Sequence, residues 1–391
     1  MKWVVYAIFF ALTCMGVYEN SQSVDSFARQ LTIWVDEKEV EVLTALNQTF
    51  EEQYNVKINL EVVSPNEVYT KLLSLPNSQV YPDVINMEHV MISDFANQQL
   101  IVPVNDIFNE LDVLPTIKQG LKVKGDYYGV PYEGMTDVLY YDKSRFGDGI
   151  GSFELFENYR NLSIVLEYTD LYHINPFITG FGGDIVGTNN FGDTNFFDIR
   201  LNSEESVKGF TAMIQLLNSN VLYSKEGDIY ETFITKKADL LIAPASIATS
   251  LSEYYPNLGY QEIPNFVEDV LPYTYMTMDT YQICSYSEQK DLAKEYLKFL
   301  VSDTVAVARY TNYRAVAPLD YEEPITKDEY YTLVKKQLHR SMPVPNQTEF
   351  TQLYIPYQKA VKQAISLPDQ IQILLDNAVL EIDNALEKYL N

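Results

Sequence analysis

The residues best equipped for chemistry are Tyr132, Glu133, Gly134, Met135, Thr136 and Asp137, which sit inside the stretch Gly125 to Lys143, GDYYGVPYEGMTDVLYYDK. Gly125 and Asp126 make a turn, Tyr127 to Pro131 is a short extended run, and Val138 to Tyr141 is a second, aromatic run of strand type. Stacking surface, hydrogen-bonding side chains and one flexible glycine are what a sugar pocket recruits. A solvated hairpin turn has the same spacing, so the pattern alone leaves both readings open. Glu133 and Asp137 are a carboxylate pair close in the chain, but nothing nearby supplies the matched acid environment of a glycosidase. The histidines His89, His173 and His339 lack zinc-motif spacing, and GFGGDIVG at Gly180 to Gly187 lacks the strand-to-helix context of a dinucleotide fingerprint. No catalytic residue, metal or cofactor is expected.

These side chains need elements to hold them. Leu31 to Val35 reads as a buried strand with a charged turn, Asp36 to Lys38, at its carboxyl end. Leu43, Leu46 and Phe50 recur at helical spacing, and Asn55 is a natural stop. Val56, Ile58, Leu60 and Val62 then alternate with polar residues, the period of a strand. A helix over Glu67 to Leu75, a strand over Asp83 to Asn86 and a helix over Met91 to Gln98 continue the alternation. That order builds a mostly parallel sheet covered by helices, with ligands at the carboxyl ends of its strands. Trp34 to Lys38 and Met87 to His89 become neighbours by topology. Farther on, Glu204 to Leu217 reads as a helix and Ala238 to Ala243 as a strand closed by Pro244. Ser285 to Ser302 is expected as a helix opened by a Ser285/Glu288 capping box, with Leu292, Tyr296, Leu297 and Leu300 as its apolar stripe. From Phe350 onward the chain is helical again, with a break at Leu367 to Asp369.

A chain of 391 residues, 47% hydrophobic, is too long for one ordinary core and predicts two domains of roughly 150 to 200 residues. Residues 1–16, with one lysine before the apolar run Trp3 to Leu12 and small residues after it, read as a signal peptide. The mature chain is expected outside the cytoplasmic membrane, in a periplasm or on the outer face. Cleavage after Gly16 removes Cys14; cleavage before Cys14 would let it carry a lipid anchor. Either way Cys284 has no partner for an intrachain disulfide. The formal charge of -26 argues against nucleic acid and anionic ligands, and admits neutral or cationic ones.

Seven blocks in order, among them LTIWVDEKE, YPDVINMEHVMISDFANQQLIVPVND, YYGVPYEGMTDVLYYDK, KADLLIAPAS and MPVPNQTEFTQLYIPYQKAV, resemble the maltose-binding type of extracellular solute-binding proteins, the sugar-capturing components of ABC importers. The resemblance covers nearly the whole mature chain. It implies an α/β, two-lobed periplasmic-binding-protein fold (type II), with the ligand cleft between lobes joined by hinge strands. One lobe would take residues 25–134 plus 280–322, the other 135–279 plus 323–391. The implied partners are a sugar and membrane permease subunits, with the protein a monomer.

The resemblance also carries over candidate contacts. Asp36 and Lys38 fall in the family's first contact turn, and Trp34 before them is either a stacking face or core. Met87, Glu88 and His89 occupy the second contact loop. Tyr132, Met135 and Thr136 come from the hinge block, with Glu133 and Asp137 as neighbours. Ala245 and Ser246 follow Pro244, Asp279 and Thr280 mark the second crossing, and Arg314 precedes AVAP. Tyr354 falls where the family has a stacking aromatic. Where maltodextrin binders carry an aromatic residue and then an Asp-Arg pair, this chain has Met87 and then Val90 and Met91; where they present a tryptophan, it has Ala245. The block therefore argues for the family and against maltose itself. Besides a neutral sugar, a polyamine or other cationic solute held by Glu88, Asp36 and Glu133 stays open, as does an exported hydrolase or adhesin on the same scaffold.

Overall fold

The strand and helix periods of the first sixty residues are followed closely in the structure, a computed structural model that describes residues 29–75, 81–151, 162–189, 193–219, 228–321 and 326–390. The expected signal peptide, with Cys14, lies outside them. Strand β1 (Arg29–Val35) leads into the helix Glu37–Tyr54, which Asp36 caps by accepting from the Lys38 amide at 3.0 Å. The helix stops at Asn55, whose φ of 49° is the left-handed cap that asparagine tolerates. Strands β2 (Val56–Val62) and β3 (Val84–Glu88) flank β1, both parallel to it.

The remaining strands are β4 (Lys122–Val123), β5 (Asp126–Tyr127), β6 (Val130–Asp142), β7 (Ile164–Val165), β8 (Val186–Thr188), β9 (Thr194–Ile199), β10 (Leu240–Pro244), β11 (Leu258–Gln261), β12 (Thr274–Ile283) and β13 (Ser341–Pro343). The main sheet runs β2-β1-β3-β12-β6-β10-β7, with β11 on β6 and β13 on β12. It is mixed rather than mostly parallel, because β12 and β6 run antiparallel to each other and to β3 and β10. β6 is one continuous strand of 13 residues. The hairpin reading of Tyr132 to Asp137 is thereby overturned: β12 pairs along Val130 to Thr136 and β10 along Asp137 to Tyr141, so no turn is needed. The first half of β6 belongs to one set of strands and its second half to another.

Alternation along β6 also divides the core. Tyr132, Val138 and Tyr140 join a cluster that contains Ile33, Phe95, Tyr296 and Leu338, while Leu139 and Tyr141 join one built on Phe177, Phe210, Tyr357 and Ile382. The expected capping box fails. The helix starts at Lys290, and Ser287 instead donates to Asp83 at 2.5 Å and accepts from the Gln289 amide at 3.1 Å. The apolar stripe Leu292, Tyr296, Leu297 and Leu300 is buried as expected.

Deep in the first cluster Glu39 and Arg309, 0% and 1% exposed, form an ion pair at 2.6 Å. Tyr281 donates to Glu39 at 2.8 Å, Tyr313 donates to it as well, and the guanidinium lies 4.3 Å from the centre of the Tyr132 ring. Burial works against both charges, but their mutual attraction holds the Glu39 carboxyl below its usual range and Arg309 above. Removing one partner strands the other. Arg309→Met should cost about 3–5 kcal/mol in urea unfolding, and Glu39→Leu combined with it much less; a single variant within about 1 kcal/mol of wild type would contradict the pairing.

Candidate functional site

Three adjacent strands place three carboxylates side by side: Glu88 of β3 faces Asp279 of β12, which faces Glu133 of β6. Directly opposed residues on neighbouring strands share a face, so the row is fixed by register alone. Lys38, in the first turn of the helix Glu37–Tyr54, reaches across to it. Its ammonium lies 2.6 Å from Glu133 Oε2 and 2.6 Å from Asp279 Oδ2, with the rings of Tyr132 and Tyr313 at 5.9 and 5.6 Å. Burial alone would lower the lysine pKa, but the two carboxylates outweigh it and hold it above the usual lysine range. Glu133 is raised by burial first, then by Asp279, with Lys38 opposing. Glu88 is half-buried, and its side chain makes no hydrogen bond or ion pair among the described residues. Burial and then Asp279 raise its pKa.

A second group continues along the same face of β6. Asp137, 0% exposed, pairs with His173 Nδ1 at 2.7 Å, and Tyr172 donates to the Met135 carbonyl at 2.7 Å. Burial raises Asp137 and would lower His173, but attraction to Asp137 raises the imidazole pKa above its ordinary value. Tyr172 and His173 were not among the expected contacts. The signal available was Asp170, whose side chain caps the helix Leu171–Thr179 by accepting from the Tyr172 amide at 2.9 Å. Beside them Tyr140 and Tyr330 donate to the Ala245 carbonyl, each at 3.1 Å.

Several expected contacts point elsewhere. Trp34 is 2% exposed, donates to Glu61 at 3.0 Å and packs its ring 4.6 Å from the Lys71 ammonium, so it serves the β1/β2 edge. Met87 is fully buried in the first cluster. His89 is fully buried too. Its Nε2 contacts the Val344 carbonyl at 3.0 Å and its Nδ1 accepts from the Met278 amide at 3.1 Å, which ties β3, β12 and the segment after β13 together and leaves no ring nitrogen for a ligand. Thr136 and Thr280 spend their hydroxyls inside the sheet, on Tyr275 O and Met87 O. Tyr132 is 1% exposed, its ring lying beneath Lys38. Ala245 presents only its carbonyl, already taken. Asp36 is the helix cap, Arg314 is held by Asp328 at 3.1 Å, Ser246 is exposed, and Tyr354 and Met135 are half-buried. The structure thus brings Lys38, Glu88, Glu133 and Asp279 together, and sets Asp137 and Met135 on the same face.

The family described as bacterial extracellular solute-binding protein matches residues 35–307, a span that contains Lys38 and every carboxylate of the row. The chain belongs to that family. Among relatives of this solute-binding protein, the galactooligosaccharide-binding protein of Bacillus subtilis is 23% identical, over 91% of this chain and 89% of that one. The maltodextrin-binding protein MdxE of Bacillus subtilis is also 23% identical, over 92% and 91%. The maltose-binding periplasmic protein MalE from Listeria monocytogenes, solved in complex with maltose, superposes with a TM-score of 0.84 at 21% identity, over 92% of this chain and 98% of that one. The type II, two-lobed fold expected from the sequence is the fold found.

His89 and the half-buried His173 should titrate in opposite directions. His173 has a raised folded pKa, so its contribution to stability is complete below the unfolded value near 6.5 and is lost as pH rises through the folded value. Burial lowers His89 to about 4, so stability falls as pH drops from about 6.5 towards 4, by ~3 kcal/mol. Imidazole NMR titration checks both, and a His89 resonance moving near pH 6.5 would refute the buried neutral ring.

Proposed function

We propose that this solute-binding protein captures a carbohydrate outside the cytoplasmic membrane and delivers it to the permease of an ABC importer. The observation that carries the reading is the register-locked row Glu88, Asp279 and Glu133 with Lys38 across it. Carboxylate oxygens accept from sugar hydroxyls, the ammonium donates to ring and hydroxyl oxygens, and the half-buried Tyr172 and Tyr313 offer apolar faces. Relatives named for galactooligosaccharide and maltodextrin support an oligosaccharide. Maltose fits less well, since Met87 is core and Ala245 has no ring to stack. Export through residues 1–16, a Cys14 anchor, a monomeric state, and lobes divided near Gly134 and Asp279 all belong to this proposal. Closing the lobes would remove the sugar from water and make the shape the permease reads.

One observation favours a second reading. Glu88 makes no close ion pair among the described residues and shares the attraction of Lys38, whose single ammonium also faces Glu133 and Asp279, so three carboxylates on one ammonium leave surplus negative charge that a cationic solute would neutralise.

A thermal-shift screen separates the two. A ligand at a hundred times its Kd stabilises by about 2.7 kcal/mol. Neutral oligosaccharides should raise Tm and polyamines should not, whereas hits confined to amines would replace the sugar reading. Lys38→Met should weaken sugar binding about tenfold or more, because it leaves Glu133 and Asp279 repelling each other across the site; unchanged affinity by calorimetry would remove the lysine from the site.

A further inference from the structure

The pairing of β12 with β6 is interrupted at the carboxylate row. Asp279 stands opposite Glu133 and Thr280 opposite Pro131, so Tyr132 is an extra residue with no opposite number. Such a bulge re-aims the side chains beside it, and a proline, which has no amide to donate, is tolerated there. The register changes by one residue at this point, so Glu133 faces Asp279 only while Tyr132 stays outside the pairing.

Tyr132 is held there at both ends of its side chain. Its hydroxyl accepts from Asn86 of β3 at 3.2 Å and donates to Asp279 at 3.4 Å. Its buried ring lies 4.3 Å from the Arg309 guanidinium, which donates to the two oxygens of Glu39 at 2.9 and 2.6 Å. Glu39 also accepts from the hydroxyls of Tyr281 and Tyr313. The Tyr281 ring packs 5.0 Å from that of Tyr132, and the Tyr313 ring lies 5.6 Å from the Lys38 ammonium. The rings around the bulge are thus tied to one buried charge pair. Apolar residues of similar volume would fill the same space about as stably, so stability alone does not account for charges here.

We propose that Arg309, with Glu39, is a positioning residue for the Lys38 site: through Tyr132 it sustains the bulge that turns Glu133 and Asp279 towards one ammonium. Both residues are buried and act only through their neighbours. A guanidinium suits the task, because its plane covers a ring while its edge forks onto a carboxylate, which a lysine ammonium cannot do. The part Lys38 plays in binding rests on the function proposed above; the placing of its ammonium does not.

Side-chain NMR of Lys38 in the full chain tests this without any ligand. In the wild type burial opposes the lysine charge, but Glu133 and Asp279 outweigh it, so Lys38 should stay charged beyond the ordinary value of ~10.4. Glu39→Leu/Arg309→Met, which strands no charge, should stay folded yet bring the titration down to about that value. Arg309→Lys, which keeps a charge for Glu39 but no plane over Tyr132, should shift it the same way and answers if the double variant does not fold. Tyr296→Phe removes only a core hydrogen bond to Asn47, at 2.8 Å, and should leave Lys38 as in the wild type. An unchanged Lys38 in the folded double variant, or in Arg309→Lys where the double variant does not fold, would overturn the proposal. So would an equal shift in Tyr296→Phe. Absence of any hit in the thermal-shift screen counts against the function proposed above and leaves the Lys38 titration to decide this inference.

Discussion

A lysine in the first turn of a helix meets the positive end of the helix dipole, an unfavourable place for a cation. Lys38 occupies that place in this protein, and the site is arranged around its compensation. Two carboxylates at 2.6 Å, from two different strands, supply the opposite charge, and the rings of Tyr132 and Tyr313 lie alongside. The next residue, Glu39, is buried in the core and meets Arg309, whose guanidinium lies 4.3 Å from the centre of the same Tyr132 ring. Consecutive residues of one helical turn thus hold two ion pairs, one at the candidate site and one in the core, that share an aromatic ring. Disturbing either charge reaches the other through Tyr132.

The carboxylate row exists because β3, β12 and β6 are neighbours in a fixed register. β12 and β6 are long enough to belong to both halves of the molecule, pairing with β3 and each other at one end and with β13, β10 and β11 at the other. A shift of one residue in either strand would turn Glu133 or Asp279 to the opposite face. His89 protects the arrangement. By holding backbone groups of Met278 and Val344 it fixes where β3 ends relative to the two crossing segments, a role that needs a neutral ring and explains its complete burial.

Local elements were legible where periodicity was strong and a cap stood at the end. The helix stopping at Asn55, the strand from Val56 to Val62 and the break near Leu367 follow from rules that act within a few residues. The Ser285/Glu288 box failed because Ser287, two residues on, had a better partner in Asp83, about two hundred residues away in the chain and adjacent in space. Tyr132 to Asp137 could be read as a turn because its polar residues look solvated; on a strand paired along both halves they are instead buried on alternating faces.

The sequence by itself determined the family, the two-lobed α/β class and the chemical types at the site, since those rest on patterning and on residues present at given positions. Which residues meet was decided only by tertiary structure. Trp34, Met87 and His89 carry the side chains one would choose for a ligand, yet each lies beneath the surface, because burial depends on which neighbours pack over a strand end. Lys38 and Asp279 are far apart in sequence and touch because a helix cap and a strand register, set independently, converge on one point. Charge pairing across that distance has no sequence signature, and the geometry that creates it exists only when the sheet is complete.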